Sequence, residues 1–262
     1  MLKLLAADFD GTLMPYGQKS VSNEIINKIK GFVNDGMHFA VASGRTYSEL
    51  KALLGEVSDK IYFVANDGAL IVKNEKVVFK RPFDKSSVKQ IIEDENLIAA
   101  AFYSLDSVYK YKKSDFPFLG KTPKVVERAF QVTEDIFKIT ASVNNRAFSD
   151  CENYRVHYQG EGYAELVQPY ANKGMALSYL QLHLSVSKFE TAALGDANND
   201  VPMMKNACES FCIGEKSVAL TKTCKYKCNN VISAFKIIDE LNQHQNHTKQ
   251  HQNTRFFEKN TK

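Results

Sequence analysis

Short apolar segments alternate with amphipathic helical patterns along the first part of the chain. Each apolar run ends in a polar or glycine-bearing turn, which predicts strands at Leu2–Phe9, His38–Ala42 and Lys60–Ala65. Between them, Ser22–Val33 carries apolar residues at helical spacing, with Ser22 or Asn23 as the N-cap, and Thr46–Leu54 predicts a second helix. Strands that alternate with helices are typical of a parallel sheet covered by helices on both faces. The pattern therefore predicts an α/β core.

The pattern changes after residue 68 and returns near residue 173. Ala69–Val72 and Lys76–Phe79 flank Asn74 as the two strands of a hairpin would. The following stretch is more polar and richer in aromatic residues, with strands predicted at Leu97–Tyr103, Ile136–Ser142 and Tyr154–Tyr158. Helices are then predicted at Lys173–Leu184, Val201–Ala207 and Val231–Leu241, and strands at Phe189–Leu194 and Ser210–Ile213.

This organisation predicts a core interrupted by an inserted domain. We assign residues 1–80 and 167–241 to the α/β core and residues 81–166 to an inserted α+β domain. Residues 242–262 are rich in Asn, Gln, His and Lys, and we expect them to form a disordered polar tail.

Composition and charge narrow the classes of partner. The chain has 262 residues, of which 44% are hydrophobic and 24% charged, as in ordinary globular proteins. The formal net charge is +4. The tail contributes +3 of it, from Lys249, Arg255, Lys259 and Lys262 against Glu258. Because the remainder is nearly neutral, we expect no nucleic-acid partner.

Targeting signals and a disulfide framework are not expected. Asp8 interrupts the apolar start too early for a signal peptide, and no run approaches the roughly 18 apolar residues of a membrane span. The five cysteines are odd in number and lie in a chain too large to need disulfides. We therefore expect a cytoplasmic protein with no membrane partner.

Two carboxylates lie at the end of the first predicted strand, in Asp8-Phe-Asp10-Gly-Thr12. Residues two apart on a strand project to the same side, so both carboxylates can face one site beyond the strand's carboxyl edge. Adjacent carboxylates repel unless a cation or a shared proton compensates. The alternative is a simple strand-ending turn, because Asp-Gly is a common turn pair.

Three further segments follow strands or begin helices and complement this pair. Ser43-Gly44-Arg45 closes the strand His38–Ala42 and offers a hydroxyl and backbone N–H groups to an anion. Lys173-Gly174 opens a helix and offers a point positive charge suited to phosphate. Gly195-Asp-Ala-Asn-Asn-Asp200 closes another strand with hard oxygen ligands of the kind that Mg²⁺ prefers. Each is weak alone, but together they predict a phosphate and metal site.

With these four segments the sequence resembles the haloacid dehalogenase-like hydrolases, and within them the Cof-type phosphatases. The resemblance covers about Lys3–Leu241. It implies a Rossmann-like parallel-sheet core with a large α/β cap inserted between Ser43 and Lys173. It also implies that Asp8 is the nucleophile, that Asp10 is the acid and base, and that Mg²⁺ binds the Asp8 carboxylate, the Asp10 backbone carbonyl and Asp196.

The resemblance assigns the remaining residues to the phosphate and its surroundings. Ser43, Gly44 and Lys173 would contact phosphoryl oxygens, and Asn199 would contact the phosphate or a metal-bound water. Asp200 would orient Lys173 or the metal shell, and Arg45 would support the site. The family's Asn-Gly-Ala is Asp67-Gly-Ala69 here, and Asn172 stands where the family often has Asp or Ser.

The function implied is a Mg²⁺-dependent phosphatase of small phosphorylated metabolites, a sugar phosphate or a cofactor phosphate, acting through an aspartyl-phosphate. The partner is then a small-molecule phosphate ester, and the protein a monomer or homodimer. Two alternatives stay open, a sugar phosphomutase or phosphotransferase and a non-catalytic phosphometabolite-binding regulatory protein.

Other motifs have simpler structural interpretations. The cysteines at 208, 212, 224 and 228 could hold zinc, but ordinary buried thiols are the expectation. We expect the histidines at 244, 247 and 251 to belong to the polar tail. We expect the aromatic residues of the insertion to pack in its core rather than stack on substrate (Tyr103, Tyr109, Tyr111, Phe116 and Phe118).

Overall fold

The computed structural model describes residues 1–105, 107–111, 123–144, 146–158, 160 and 162–243. Its strands are β1 (Leu4–Asp8), β2 (His38–Ala42), β3 (Tyr62–Ala65), β4 (Leu70–Lys73), β5 (Lys76–Lys80), β6 (Leu97–Tyr103), β7 (Val108–Tyr111), β8 (Lys124–Val126), β9 (Lys138–Val143), β10 (Arg155–Tyr158), β11 (Tyr163–Val167), β12 (Thr191–Gly195), β13 (Glu209–Ile213) and β14 (Tyr226–Cys228). Its helices are α1 (Asn23–Asn34), α2 (Tyr47–Leu53), α3 (Lys85–Ile92), α4 (Lys173–His183), α5 (Val201–Lys205), α6 (Val218–Thr223) and α7 (231–243).

The chain divides into two compact units. One comprises Met1–Ala40 with Leu177–Lys262, and the other comprises Val41–Ala176. Both divisions fall inside an element, within β2 and within α4. The domain boundaries predicted at 80/81 and 166/167 stay a prediction.

The first unit contains the strand order β14-β13-β12-β1-β2, in which β14, β13, β12 and β1 are parallel. β12 pairs in parallel with β1 on one side and β13 on the other, and Ala7 lies opposite Leu194. Every residue of β1 and β12 is buried, and all except Asp8 and Thr191 are apolar, as is typical of strands covered on both faces. In the same unit, Phe32 of α1 and Phe235 of α7 meet edge to face at 5.2 Å. These pairings confirm the predicted α/β class with a parallel sheet.

The second unit contains the strand order β2-β3-β4-β5, in which β3, β4 and β5 are antiparallel, and a separate six-stranded sheet in the order β10-β11-β9-β6-β7-β8. Helix α3 buries Val88, Ile91 and Ile92 in the core of the six-stranded sheet. That sheet uses residues Leu97–Val167, which is nearly the stretch predicted as the inserted domain.

Most predicted elements have the expected positions. β2 and β6 have the predicted bounds, and Ser22 is the N-cap of α1, accepting a hydrogen bond from the Ile25 amide. The strand predicted from Phe189 starts two residues later, because Lys188–Glu190 form a 3₁₀ turn with Phe189 exposed. Helix α7 includes Asn242 and Gln243, two residues of the predicted tail. The rest of the tail lies outside the described residues.

Candidate functional site

Strand β1 ends at Asp8 in a tight turn that presents its carboxylate. The Met14 amide donates to the Phe9 carbonyl, and the Gly11 amide donates to the Met14 carbonyl, both at 2.8 Å. Gly11 adopts a left-handed φ of +89°, which a side chain would strain. A Cβ atom there would also lie 2.7 Å from Asp196 Cγ. The turn therefore requires glycine for its backbone and for the approach of Asp196.

Asp196 directly follows β12, whose parallel register with β1 brings the two strand ends to one edge of the sheet. Asp200 Oδ2 accepts hydrogen bonds from the amides of Asp196 at 3.1 Å and Ala197 at 3.0 Å. A Cβ atom on Gly195 would lie 2.5 Å from that same oxygen. Asp200 thus fixes the backbone that carries Asp196.

The carboxylates of Asp8, Asp196 and Asp200 form one buried cluster. Each offers an oxygen, and these oxygens lie within 4.8 Å of one another. Among the described residues, these three carboxylates are the group of side chains placed closely enough to bind one metal ion. Buried like charges repel, and a divalent cation that prefers oxygen ligands offsets this. The residues present therefore fit a Mg²⁺-type ion.

The other two predicted residues of this unit are more accessible. Asp10 is half-buried in the turn after β1 and forms an isolated bridge with Met14. Asn199 is exposed in a 3₁₀ turn, Asn198–Asp200, that precedes α5. Asp10 thus lies two residues beyond the buried carboxylate of Asp8, while Asn199 lies next to Asp200.

Tyr16 and Lys216 adjoin the acidic cluster and were not identified from the sequence. Burial, the charge of Asp196 and a hydrogen bond to Asp196 raise the pKa of the Tyr16 hydroxyl to about 12, with smaller contributions from Asp8 and Asp10. The Lys216 ammonium lies 3.3 Å from the centre of the Tyr16 ring, a cation–π contact. No local signal marks this pair, because the two residues come from distant loops.

The second unit contains the predicted Ser43-Gly44-Arg45 segment at the end of β2. Ser43 is buried, and its hydroxyl accepts a hydrogen bond from the Arg45 amide at 3.1 Å. The backbone of the next strand end supports the segment, because the Asn66 amide donates to Arg45 O at 2.9 Å and the Asp67 amide to Ser43 O at 3.0 Å. This pairing makes the turn after β3 a structural partner of the loop after β2.

Lys173 is the first residue of α4 and is buried, with 3% of its surface exposed. Asn172 caps the helix, since its Oδ1 accepts from the Met175 amide at 2.8 Å. Gly68 packs against this cap, and a Cβ there would lie 2.5 Å from the Asn172 carbonyl oxygen. Asn172, which stands where the family often has Asp or Ser, therefore still supplies a capping oxygen.

Two other signals weighed in the sequence, the cysteines and the aromatic residues of the insertion, fall wholly or partly within the described residues. Burial raises the pKa of Cys224 to about 12 and that of Cys228 above its usual value, and within the described part of the chain the cysteines form no metal-ligand group. Tyr109 lies in the core of the six-stranded sheet and Tyr111 packs against it, whereas Tyr103 packs in a separate cluster with Ala99 and Ala101. Phe116, Phe118 and the three tail histidines lie outside the described residues.

Across the residues that the structure describes, no helix has the length and apolarity needed to cross a bilayer.

Comparison with known proteins identifies a family that matches most of the chain. A family profile described as haloacid dehalogenase-like hydrolase matches residues 5–233. The 5-amino-6-(5-phospho-D-ribitylamino)uracil phosphatase of Escherichia coli (strain K12) is 26% identical over 269 residues, covering 93% of this chain and 97% of that protein. A phosphoglycolate phosphatase of Methanoculleus marisnigri is 26% identical over 208 residues, covering 79% and 82%.

A solved structure from Eubacterium rectale shares the fold, with a TM-score of 0.80 at 22% identity, and the match covers 90% of this chain and 99% of that one.

Proposed function

Because the chain belongs to the haloacid dehalogenase-like hydrolases, we propose that this phosphatase uses Mg²⁺ and an aspartyl-phosphate on Asp8 to hydrolyse small phosphorylated metabolites. The observation that carries the proposal is the buried carboxylate cluster of Asp8, Asp196 and Asp200 at the ends of two paired parallel strands. The curated relatives described above are both phosphatases of phosphorylated metabolites.

Asp8 acts as the nucleophile. Its carboxylate oxygen forms a bond to phosphorus while the ester oxygen leaves, which divides hydrolysis into two easier displacements. Asp10 donates a proton to the departing alcohol and then takes one from the water that cleaves the aspartyl-phosphate. The half-buried position of Asp10, two residues beyond the nucleophile, suits a group that must exchange protons.

The metal site is assigned to the Asp8 carboxylate, the Asp10 backbone carbonyl and Asp196. A Mg²⁺ ion held by these groups would offset the repulsion between the nucleophile and the phosphate and would supply positive charge for the phosphoryl oxygens. Asp200 holds the Asp196 backbone through two hydrogen bonds, so it keeps this ligand in place whether or not it contacts the metal itself.

Ser43, Gly44, Lys173 and Asn199 are assigned to the phosphoryl oxygens, with Arg45 in support. Hydroxyl, backbone N–H and ammonium groups stabilise the negative charge as the transition state forms. The capping contacts around Asn172 and Gly68 hold the start of α4, and with it the buried Lys173. The stretch 81–166 is proposed to be the inserted cap that restricts the substrate to small molecules.

The test is phosphate release from an aryl phosphate and a panel of phosphorylated metabolites, with Mg²⁺ or with EDTA. Wild type should release phosphate only with Mg²⁺, and Asp8→Asn should lower the rate about a thousandfold or more because the nucleophile is lost. Asp35→Asn, at the exposed end of α1 in the same unit, is the matched control and should keep full activity. Activity that survives in Asp8→Asn contradicts the proposal, and absence of release by folded wild type favours the mutase or binding alternatives.

A further inference from the structure

We propose that Asp67, Lys138 and Glu165 form a charge filter that accepts neutral and cationic leaving groups and disfavours leaving groups with a second anionic group. The inference rests on the proposed phosphatase function and concerns the part of the substrate beyond the phosphate. All three residues lie in the Val41–Ala176 unit, together with the Ser43-Gly44-Arg45 segment.

The charge filter lies directly beside Gly44. Lys138 of β9 donates from Nζ to the Gly44 carbonyl oxygen at 3.1 Å. A Cβ atom built on Gly44 would lie 3.0 Å from Asp67 Oδ2 and 3.2 Å from Oδ1. Ser43 is proposed to hold a phosphoryl oxygen. Because Asp67 and Lys138 lie beside the next residue, Gly44, we expect their charges to lie near the leaving group of the bound ester.

The filter holds two carboxylates and one ammonium. Lys138 Nζ lies 2.9 Å from Glu165 Oε1, and the two side chains are only 12% and 24% exposed. Two of the three ammonium donors are thus directed at Glu165 and Gly44. The three side chains carry a net charge of −1, and a partly desolvated negative charge disfavours a second anion nearby.

The ammonium remains charged in this setting. Burial works to lower the pKa of Lys138, but the carboxylates of Glu165 and Asp67 more than offset this and raise it. Lys138 therefore keeps its charge across the neutral pH range, and any selectivity that rests on charge should vary with ionic strength.

The face of the sheet around the filter carries hydroxyl groups and one further lysine, because Lys110 of β7 lies opposite Ala101, which lies opposite Thr140. Tyr103 lies opposite Lys138, and Thr140 lies opposite Glu165. The Tyr103 hydroxyl is 3.3 Å from Thr140 Oγ1. Thr140 is buried, so the partly exposed Tyr103 hydroxyl is the one that can bind a polar leaving group. Lys110 on this face and Arg45 in the adjacent loop are the cations that could oppose the filter.

The substrates named for the two curated relatives differ in the charge of the leaving group. Hydrolysis of phosphoglycolate releases an alcohol that carries a carboxylate, whereas hydrolysis of the ribitylaminouracil phosphate releases an uncharged polyol. The charge filter predicts that this chain prefers the second type of leaving group.

The test uses three aryl phosphates that differ only at the para position: hydroxymethyl, aminomethyl and carboxylate. The ratio of kcat/KM for the carboxylate ester to that for the hydroxymethyl ester is measured with Mg²⁺ in wild type, Asp67→Asn, Glu165→Gln and Lys138→Met. Comparing each variant with wild type cancels the intrinsic reactivity of the esters. Glu93→Gln, exposed at the end of α3, is the matched control.

Each carboxylate variant should raise this ratio about tenfold, and Lys138→Met should lower it by a similar factor. All three shifts should shrink in 0.5 M salt. Asparagine tolerates the left-handed φ of 54° at position 67, as Asn66 does at 50°, so Asp67→Asn should fold. If Asp67→Asn does not fold, the ratio measured for Glu165→Gln tests the same loss of a negative charge.

Unchanged ratios in Asp67→Asn and Glu165→Gln overturn the charge filter, as does a shift of the same sign in the lysine and carboxylate variants. A wild-type preference for the carboxylate ester over the aminomethyl ester would also overturn it and would point to Arg45 or Lys110. If wild type hydrolyses none of the esters, binding of the matching arylphosphonates, measured by calorimetry, gives the same ratios without turnover, and the metabolite panel tests the proposed function separately.

Discussion

Gly11 and Asp196 come from different segments of the chain, and their approach leaves no room for a side chain at position 11. A Cβ there would lie 2.7 Å from Asp196 Cγ and nearer still to Oδ2. The glycine of the first motif therefore allows the carboxylate of the last motif to approach β1. The two motifs depend on each other through packing as well as through chemistry.

Gly11→Ala should therefore displace Asp196 and lower Mg²⁺-dependent activity at least about tenfold, with a loss of roughly 1–3 kcal/mol in the free energy of unfolding. Gly17→Ala is the matched control, because Gly17 has a similar φ of +85° but no atom within 4 Å of the place that a Cβ would occupy. It should show the backbone strain without the loss of activity. Urea unfolding and phosphate release compare the two, and equal activities in both variants would contradict the role of the close approach.

The acidic cluster should destabilise the protein when no metal is bound. Asp196→Asn removes one of three buried carboxylates, so it should raise the free energy of unfolding in EDTA by roughly 1–2 kcal/mol. Mg²⁺ at a hundred times its Kd should stabilise wild type by about 2.7 kcal/mol and should not stabilise the variant. Thermal melts with and without Mg²⁺ measure both effects, with the exposed Asp35→Asn as control. A variant that keeps the Mg²⁺ response would place the metal elsewhere.

Glu134 should make stability depend on pH in acid. Burial alone would raise its pKa, but hydrogen bonds from Lys124, Ser104, Ser107 and Tyr109 hold the pKa at about 2, against a usual 4.5. The folded pKa is the lower one, so the carboxylate contributes its full stabilisation above about pH 4.5, and this is lost as pH falls toward 2.

Glu134→Gln should therefore be less stable than wild type by about 1 kcal/mol at pH 7, a value that allows for partial solvent screening. The difference should shrink between pH 4.5 and 2, and urea unfolding across this range follows it. Glu95→Gln, an exposed glutamate just beyond α3, is the control and should show no such trend. A constant difference at all pH values would exclude the charge of Glu134 as the cause.

Cys224 and Cys228 should behave as unreactive thiols. Burial raises the pKa of Cys224 to about 12 and that of Cys228 above its usual value, and the thiolate is the reactive form. Iodoacetamide at pH 8 should therefore label both residues slowly in the folded protein and fully in 6 M urea, as read by mass spectrometry. Rapid labelling of the folded protein at Cys224 would contradict this, and metal-dependent protection of both would revive the zinc alternative.

Much of the local structure follows from residues that are close in sequence. Ser22 as the cap of α1, the left-handed Asn74 between β4 and β5, and the ends of β2 and β6 all reflect local periodicity and turn chemistry. The sequence also placed Asp8 and Asp196 at strand ends, and the parallel register then brings those strand ends to one edge.

Side-chain partnerships between distant segments could not be predicted in this way, since no local pattern encodes them. Tyr16 with Lys216, Asp200 with the Asp196 amide, and Lys138 with both Glu165 and Gly44 depend on how loops and strands pack. Periodicity and capping report each residue's neighbours along the chain, so they establish the elements and the motif chemistry. Burial, close approach and charge pairing arise only when distant elements pack, so the tertiary structure alone decided which side chains surround those motifs.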